Sequence, residues 1–360
     1  MALAQTTQEG TLDVGTAQRS GELAQWVSRH WPILLLGLFM VLFPAIANDF
    51  FLRQIAGWTM ILGMIALSLM FLAGYGGIVS LAQMTVAGVA GYMIAVLGVS
   101  SLPKVSLFWP WWAAAPLAIA IAVAFGTLAG ALSARTEGIY TIMITLAIAT
   151  SFFYLTLQNW PIFNGFNGFT TIPAPHFLGV NWGDPIPLYY MILFFAALSY
   201  AVVLYVSRAP FGLALQGVRD NPRRMAALGF NVNAHRVAAY AFASFIAALA
   251  GVLQVWNYRQ ISPGSIAVER CIDILIIAVV GGISRPVGPF IGAFIFVILR
   301  TFALDFLVKI GLDGNRFRLL IGIGFLLIVF WSSDGVIGLW ERWRRSLTRA
   351  EGRPQGGRHG

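Results

Sequence analysis

Charge is scarce in this chain: only 10% of its 360 residues are charged, whereas about 25% is usual in soluble proteins. Hydrophobic residues make up 58% of the sequence, and the mean hydropathy is +0.78. A soluble domain of this length could not bury so much apolar surface, which excludes a water-soluble enzyme. A spanning helix takes about 20 apolar residues, so the sequence predicts an all-α integral membrane protein, a polytopic bundle of about ten transmembrane helices.

Cysteine, histidine and lysine are too few or too scattered for several kinds of site. Cys271 is the single cysteine, which excludes an intramolecular disulfide and a thiolate cluster. None of the four histidines has another at metal-ligand spacing, so we expect no metal site. Neither Lys104 nor Lys309 lies in a phosphate-binding Gly-x-x-x-x-Gly-Lys-Ser/Thr motif. We therefore expect no catalytic residue, no ATP site and no cofactor in this chain.

Ten apolar runs mark the predicted spans, and tryptophans near several of their ends are typical of the membrane interface. The eighth run is short and is interpreted as a half-helix or part of a broken pair, which is permitted where backbone is buried in protein. The first is interpreted as a retained anchor, because the polar segment before it is long for a signal peptide. The runs are 32–47, 55–73, 78–99, 111–133, 138–157, 188–207, 237–257, 271–283, 288–308 and 317–333.

The basic residues predict the orientation of these spans. The loop 208–236 carries five arginines and the tail 341–360 carries six, whereas the loop 158–187 has no lysine or arginine. By the positive-inside rule, the first two are cytoplasmic and the third lies on the outer side of the membrane. Ten alternating spans then place both termini in the cytoplasm, so that a membrane domain at 31–340 lies between a polar N-terminal tail at 1–30 and the basic tail at 341–360.

The basic cytoplasmic loop contains the pattern of a short capped helix. Asp220 or Asn221 can cap a helix that begins at Pro222, and Gly229 suits a left-handed C-terminal cap, so the helix is predicted over 222–228. One interpretation is that this helix is a docking site for a partner at the cytoplasmic end of the bundle. The other is that it is a solvated loop that only determines topology. The candidate coupling residues are Arg219, Asp220, Asn221, Arg223, Arg224 and Gly229.

Two Gly-rich segments, at 74–92 and 281–293, interrupt the apolar runs. Polar groups in the first are costly unless they face protein or water, which is typical of a broken helix that lines a pathway. Small residues also permit close helix packing, so that interpretation stays open. Interruptions in both halves are typical of inverted repeats around a central site. The candidate pathway residues are Gly76, Gly77, Ser80, Gln83, Thr85, Gly281, Gly282 and Gly288.

Charged residues within or near the spans are few, and the main ones are Asp273, Arg300 and Asp305. Arg300 and Asp305 are five residues apart, so they do not share a helical face. We expect each charge to pair with a neighbouring helix or to reach towards the interface rather than to bind a solute.

At these segments the sequence resembles the LivM-type permease subunits of branched-chain amino acid ABC importers, a family of binding-protein-dependent transport permeases. The resemblance covers roughly 55–335. Its most specific parts are Arg219-Asp-Asn with Ala226-Ala-Leu-Gly-Phe-Asn-Val-Asn, and the span Ala241-Phe-Ala-Ser-Phe-Ile-Ala-Ala-Leu-Ala-Gly-Val-Leu253. Two further signatures are Gly74-Tyr-Gly-Gly with Ser80-Leu-Ala-Gln, and Gly281-Gly-Ile with Gly288-Pro-Phe-Ile-Gly-Ala.

The resemblance implies partners and a mechanism. The partners are a second permease subunit, expected as a heterodimer, two ATPase subunits that hold ATP and magnesium, and a periplasmic binding protein; no nucleic acid is expected. In the bacterial inner membrane, closure of the ATPases would act through the 219–229 helix and drive alternating access. The periplasmic loop is expected to contact the binding protein through Asn164, Phe166, Asn167 and Phe169.

Two other functions stay open at this point. Ile78 and Ala82 stand where the family often has glutamine and glycine, and related permeases import urea and short amides. A stand-alone secondary transporter or channel would need no ATPase, and the capped helix would then have no docking role.

Overall fold

The structure is a computed structural model that describes residues 37, 39–101, 105–177 and 179–309, with the side chains of 303–309 left out. The described part is almost entirely helical. The predicted span 317–333, both predicted tails, residues 32–36 and 38 of the predicted span 32–47, and the side chain of Asp305 lie outside it. The described residues before Phe50 belong to a unit of their own, with a 3-10 turn at Phe43–Ala45, and the rest belongs to a second compact unit.

The second unit contains eleven described helices, and its longest connection lies between the fifth and the sixth. The helices are α1 (Phe51–Tyr75), α2 (Gln83–Leu97), α3 (Trp111–Ser133), α4 (Ile139–Gln158), α5 (Trp160–Phe163), α6 (Pro185–Arg208), α7 (Pro210–Asp220), α8 (Pro222–Ala227), α9 (Val232–Tyr258), α10 (Val268–Gly281) and α11 (Gly288–Lys309). One antiparallel hairpin, β1 (His176–Phe177) with β2 (Val180–Asn181), lies in the loop between α5 and α6.

Five described helices are long and apolar enough to cross a membrane: α1, α3, α4, α6 and α9. They lie at five of the predicted spans. α2 and the first part of α11 are shorter apolar helices at two more, and α10 has 14 residues where the short eighth run was predicted. An all-helical membrane bundle is therefore confirmed among the described residues, whereas the total of about ten spans stays a prediction.

α1 forms the centre of the bundle and contacts α6, α9, α10 and α11. Of its most apolar 18-residue window, 89% is buried, because the helix is apolar on every face and neighbours cover it. The corresponding windows of α3, α4 and α6 are only about one-third buried. The apolar faces that these three helices expose suit contact with lipid or with a neighbouring subunit.

Small residues let the central helices approach closely, as one of the two interpretations of the Gly-rich segment predicted. A Cβ atom on Gly251 of α9 would collide with the carbonyl oxygen of Ala87 in α2. A Cβ atom on Gly126 of α3 would likewise collide with the side chain of Ser244 in α9. These contacts place α9 between α2 and α3.

Candidate functional site

The predicted coupling segment folds as a capped helix, α8. Its cap is Asn221, whose side-chain oxygen accepts a hydrogen bond from the backbone N–H of Arg224 at 2.9 Å. Asp220 is not the cap: it is the last residue of α7, and its carboxylate pairs with Arg219 at 2.9 Å. Gly229 has a φ of +91°, so the helix ends in the left-handed conformation that its sequence predicted.

α8 lies on the surface, and none of its residues is buried. Arg223 and Arg224 are both exposed, and the apolar side chains of Leu228 and Phe230 lie exposed just after the helix. This combination of two cations with neighbouring apolar groups suits a protein partner better than a purely solvated loop.

A second helix, α7, precedes α8 and was not predicted from the sequence. Pro210 occupies its first turn, and Leu215 and Val218 are buried beneath it. The signal was present, because proline is favoured at the first helical position and apolar residues three or four apart share one face. α8 packs on α7, since a Cβ atom on Gly217 would lie 2.9 Å from the sulfur of Met225.

Arg219, at the end of α7, joins the coupling segment to the end of α1. Its guanidinium donates a hydrogen bond to the carbonyl oxygen of Gly74. Its aliphatic stem covers Gly77, where a Cβ atom would lie 2.6 Å from Cγ of Arg219 and where φ is +66°. A Cβ atom on Gly74 would lie 2.5 Å from the carbonyl oxygen of Ile283, in the turn between α10 and α11. Three segments singled out in the sequence therefore meet at one end of the bundle, called here the coupling end.

The polar residues predicted to line a pathway are buried and have partners in the protein. Ser80, Gln83 and Thr85 are each at most 1% exposed. The side-chain oxygen of Gln83 accepts a hydrogen bond from Ser68 at 3.2 Å, and the hydroxyl of Thr85 lies 3.7 Å from the sulfur of Cys271. These contacts tie α2 to α1 and α10.

The glycines predicted for the same pathway mark close approaches of the chain. A Cβ atom on Gly281 would collide with the carbonyl of Gly288, and Gly282 has a φ of +108°. Gly76 faces Leu215 of α7, with 3.7 Å from its Cβ position to the leucine Cδ1. None of the eight predicted pathway residues lines the cavity described next, so their assignment to a solute path stays a prediction.

A cavity of about 740 Å³ lies at the opposite end of α1. Its position follows from Trp58, which lines it and lies 16 residues before Gly74, or about 24 Å along an α-helix. α1, α9, α10 and α11 all contribute side chains. The apolar part of its wall includes Leu62 and Phe296. We call this the cavity end of the bundle.

The polar wall of the cavity combines charges with amides. Arg270 donates to the carboxylate of Asp273, three residues later on α10, at 3.4 Å, and Arg300 of α11 lines the same space. Asp273 thus pairs with a residue of its own helix, whereas the sequence analysis expected a partner on a neighbouring helix, and both Asp273 and Arg300 line the cavity. The other polar side chains that complete the wall include Gln54, Gln254, Gln260, Ser262, Ser265 and Thr301.

Sequence reasoning missed most of these cavity residues. An ionisable side chain within a membrane span is by default a candidate for a functional site, and that signal pointed to Arg300 and Asp273. The glutamines lie in α1, α9 and the connection after α9, so no motif unites them. A cavity of this volume, with both apolar and charged residues in its wall, can hold a small solute that has both kinds of surface.

The loop 158–187 lies over the rim of this cavity. Phe169 pairs with Ile261, which stands between the cavity residues Gln260 and Ser262. Arg53 and Arg259 both donate to the carbonyl oxygen of Gly183, at 2.6 Å and 2.8 Å. Backbone and side-chain bonds thus fasten the loop to the cavity end.

The four residues predicted to contact a binding protein have different surroundings. Phe166 is 76% exposed, and Asn167 is exposed as well. Asn164 is half-buried and donates to the carbonyl of Gly168 at 2.7 Å. Phe169 is fully buried against Tyr92, with ring centroids 6.2 Å apart, so its predicted role as a surface contact is wrong.

The fold and the cavity define a class, a helical membrane permease. The model of the family described as branched-chain amino acid transport system / permease component matches residues 51–329, and the chain belongs to that family. Among the described residues, no group of three or more His, Cys, Asp or Glu side chains could hold a metal ion. No solved structure matches the chain.

Curated relatives agree with this family. The high-affinity branched-chain amino acid permease protein LivM of Salmonella typhimurium is 26% identical over 334 residues, which cover 84% of this chain and 74% of that protein. LivM of Escherichia coli is 25% identical over 73% of this chain and 66% of its own length. The ribose import permease protein RbsC of Haemophilus influenzae is 24% identical over 69% of this chain and 76% of its own length, which shows the breadth of the family.

Proposed function

We propose that this chain is the transmembrane permease subunit of an ATP-driven ABC importer that moves branched-chain or similar small amino acids by alternating access. The observation that carries the proposal is the cavity between α1, α9, α10 and α11. It lies at one end of the bundle, while Gly74, Arg219 and Ile283 come together at the other. A cavity at one end of the bundle, with close packing of the chain at the other, suits one of the two states that alternating access requires.

The chemistry of the cavity favours an amino acid over a neutral solute. Arg300 and the Arg270–Asp273 pair present charges of both signs, which suit the carboxylate and ammonium groups of a zwitterion. Leu62 and Phe296 provide apolar surface for a branched aliphatic side chain. Urea, short amides or a sugar such as ribose would make no use of these charges, so an importer for neutral solutes is the second candidate.

The proposed partners follow from the family and from two surfaces. α8, with Arg223 and Arg224 exposed, would dock on one of two ATPase subunits, which hold ATP and magnesium. Phe166 and Asn167, exposed at the cavity end, would meet a solute-binding protein. A second permease subunit would cover part of the apolar surface of the bundle. The chain itself supplies the path and carries no cofactor.

The proposed location is the bacterial inner membrane, with both termini in the cytoplasm. The arginine-rich segment 208–236 would be cytoplasmic, and the loop 158–187, which has no lysine or arginine, would be periplasmic. The two segments lie at opposite ends of α1, since Arg219 contacts Gly74 and Arg53 contacts Gly183. This arrangement agrees with the positive-inside rule.

Affinity purification of the tagged chain from its native membrane tests the proposal against a stand-alone transporter. We expect an ATP-hydrolysing subunit to co-purify, and we expect the Arg223→Glu, Arg224→Glu double variant to lose it while inserting normally. A control variant at an exposed arginine outside α8, Arg135→Glu, should retain the subunit. Recovery of the native chain without any ATPase would favour a secondary transporter or channel.

A further inference from the structure

The coupling helix α8 connects to the end of α1 through a continuous series of contacts. Met225 of α8 packs on Gly217 of α7. α7 in turn rests on the turn at 74–77 through Leu215 and Arg219, which are four residues apart and therefore share one helical face. A displacement of α8 would thus reach the 74–77 turn without passing through a flexible linker.

Two hydrogen-bond acceptors fix the orientation of the Arg219 side chain. Its Nη1 donates to the carbonyl of Gly74, while its Nε and Nη2 both lie 2.9 Å from the same carboxylate oxygen of Asp220. A guanidinium is planar, with its donors in a fixed arrangement, so two acceptors fix both its position and its orientation. The stem of the same side chain closes over Gly77, where a side chain would leave no room.

Three helices line the cavity and also have one end near the contact between Arg219 and Gly74: α1, α10 and α11. α1 ends beside Gly74, and Ile283, whose carbonyl faces Gly74, lies between the end of α10 and the start of α11. The cavity residues lie far along the same helices: Arg270 is near the start of α10, and Arg300 is 12 residues into α11, about 18 Å from its start. A shift at Gly74 would therefore tilt all three walls of the cavity.

We propose that Arg219 is a positioning residue that transmits movement of α8 to the cavity by holding the ends of α1, α10 and α11 at Gly74. This inference rests on the proposed function, because the movement of α8 would come from the ATPases. It gives Arg219 a role distinct from that of Arg223 and Arg224: Arg219, although partly exposed, donates to Gly74 at the end of α1, whereas the other two lie exposed on α8.

The test is leucine uptake per ATP hydrolysed, in proteoliposomes that contain the complete complex. Arg219→Met keeps an unbranched aliphatic side chain but removes the donors. We expect it to lower this ratio about tenfold, which corresponds to the loss of one hydrogen bond from a charged donor. ATP hydrolysis should persist. Arg219→Lys restores a charged donor and should recover part of the ratio. Arg135→Met, at an exposed arginine between α3 and α4, is the matched control and should behave as wild type.

A pair of glycine variants tests the same contact independently of charge. Gly77 and Gly138 both have positive φ, +66° and +60°, so alanine strains the backbone at each of them. A Cβ atom would collide with Arg219 at Gly77 but would meet nothing within 4 Å at Gly138. We expect Gly77→Ala to lower the uptake per ATP and Gly138→Ala to leave it unchanged.

Two results would overturn the role of Arg219. One is a wild-type ratio in Arg219→Met; the other is a parallel loss of uptake, hydrolysis and assembled complex that Arg219→Lys does not relieve. Failure of the proposed function is a separate result, because a wild-type complex that hydrolyses ATP without moving leucine or any other small amino acid refutes it before any variant is made.

Discussion

Phe169 and Ile261 exchange both of their backbone hydrogen bonds, each with an N–O distance of 2.8 Å. The bridge fastens the loop between α5 and α6 to the segment that carries Gln260 and Ser262 into the cavity. A protein that binds the outer surface of this loop would therefore press on the rim of the cavity itself.

The first prediction separates the two aromatic residues of that loop. Phe166→Ala should leave thermal stability unchanged, because the ring is exposed, and should lower the stimulation of ATP hydrolysis by the binding protein. Phe169→Ala, the internal control, removes a buried ring and should destabilise the protein by about 3 kcal/mol. Full stimulation in Phe166→Ala would remove this residue from the contact surface.

The second prediction concerns the cap of α8. Asn221→Ala removes the acceptor of the Arg224 N–H and should destabilise the helix by about 1 kcal/mol, which corresponds to about fivefold faster amide exchange over 222–228. Asp220→Ala leaves that acceptor in place and should not accelerate exchange there. Hydrogen–deuterium exchange of the two variants in the same detergent checks the assignment, and equal exchange in both would contradict it.

The third prediction concerns the cavity. Arg300→Gln removes a charge from the wall and should raise the KM for leucine uptake about tenfold, the effect of losing a hydrogen bond to a charged group. Uptake kinetics and thermal stability are measured together, with Arg135→Gln as the control at an exposed site. An unchanged KM in a stable Arg300→Gln protein would exclude the cavity as the binding site for leucine.

The fourth prediction is the topology. Asn167 and Asn221 are both exposed, whereas Cys271 is only 2% exposed. Because Cys271 is the single cysteine, Cys271→Ser gives a background without a thiol. Single cysteines at Asn167 and Asn221 should react with an impermeant maleimide from opposite sides of the membrane. Labelling from one side only would show that the orientation inferred from the arginines is wrong.

Much of the helical architecture could be predicted, because membrane spans are long and apolar and their ends carry local signals. Pro222 and Gly229 predicted both ends of α8. The cap itself could not be assigned, since Asp220 and Asn221 are adjacent and chemically similar as caps. Only the structure shows that the carboxylate of Asp220 pairs with Arg219, whereas the side-chain oxygen of Asn221 accepts the hydrogen bond from the backbone of α8.

The cavity could not be predicted, because its wall depends on long-range packing. Gln54, Gln254 and Arg300 belong to three helices far apart in the chain, and nothing in the spacing of these residues relates one to another. The Gly-rich segment shows the converse difficulty. Its small residues were compatible with a solute path or with close packing, and the contact between Ala87 and Gly251 accounts for part of the segment by packing.

The most direct test of the account is leucine uptake by proteoliposomes that contain the chain together with its co-purified ATPase subunits and binding protein. The account predicts uptake that requires ATP on the side of α8 and is lost in the Arg223→Glu, Arg224→Glu double variant although the protein inserts normally. Leucine uptake by the chain alone, without ATPase or ATP, would contradict the account, as would wild-type uptake in the double variant.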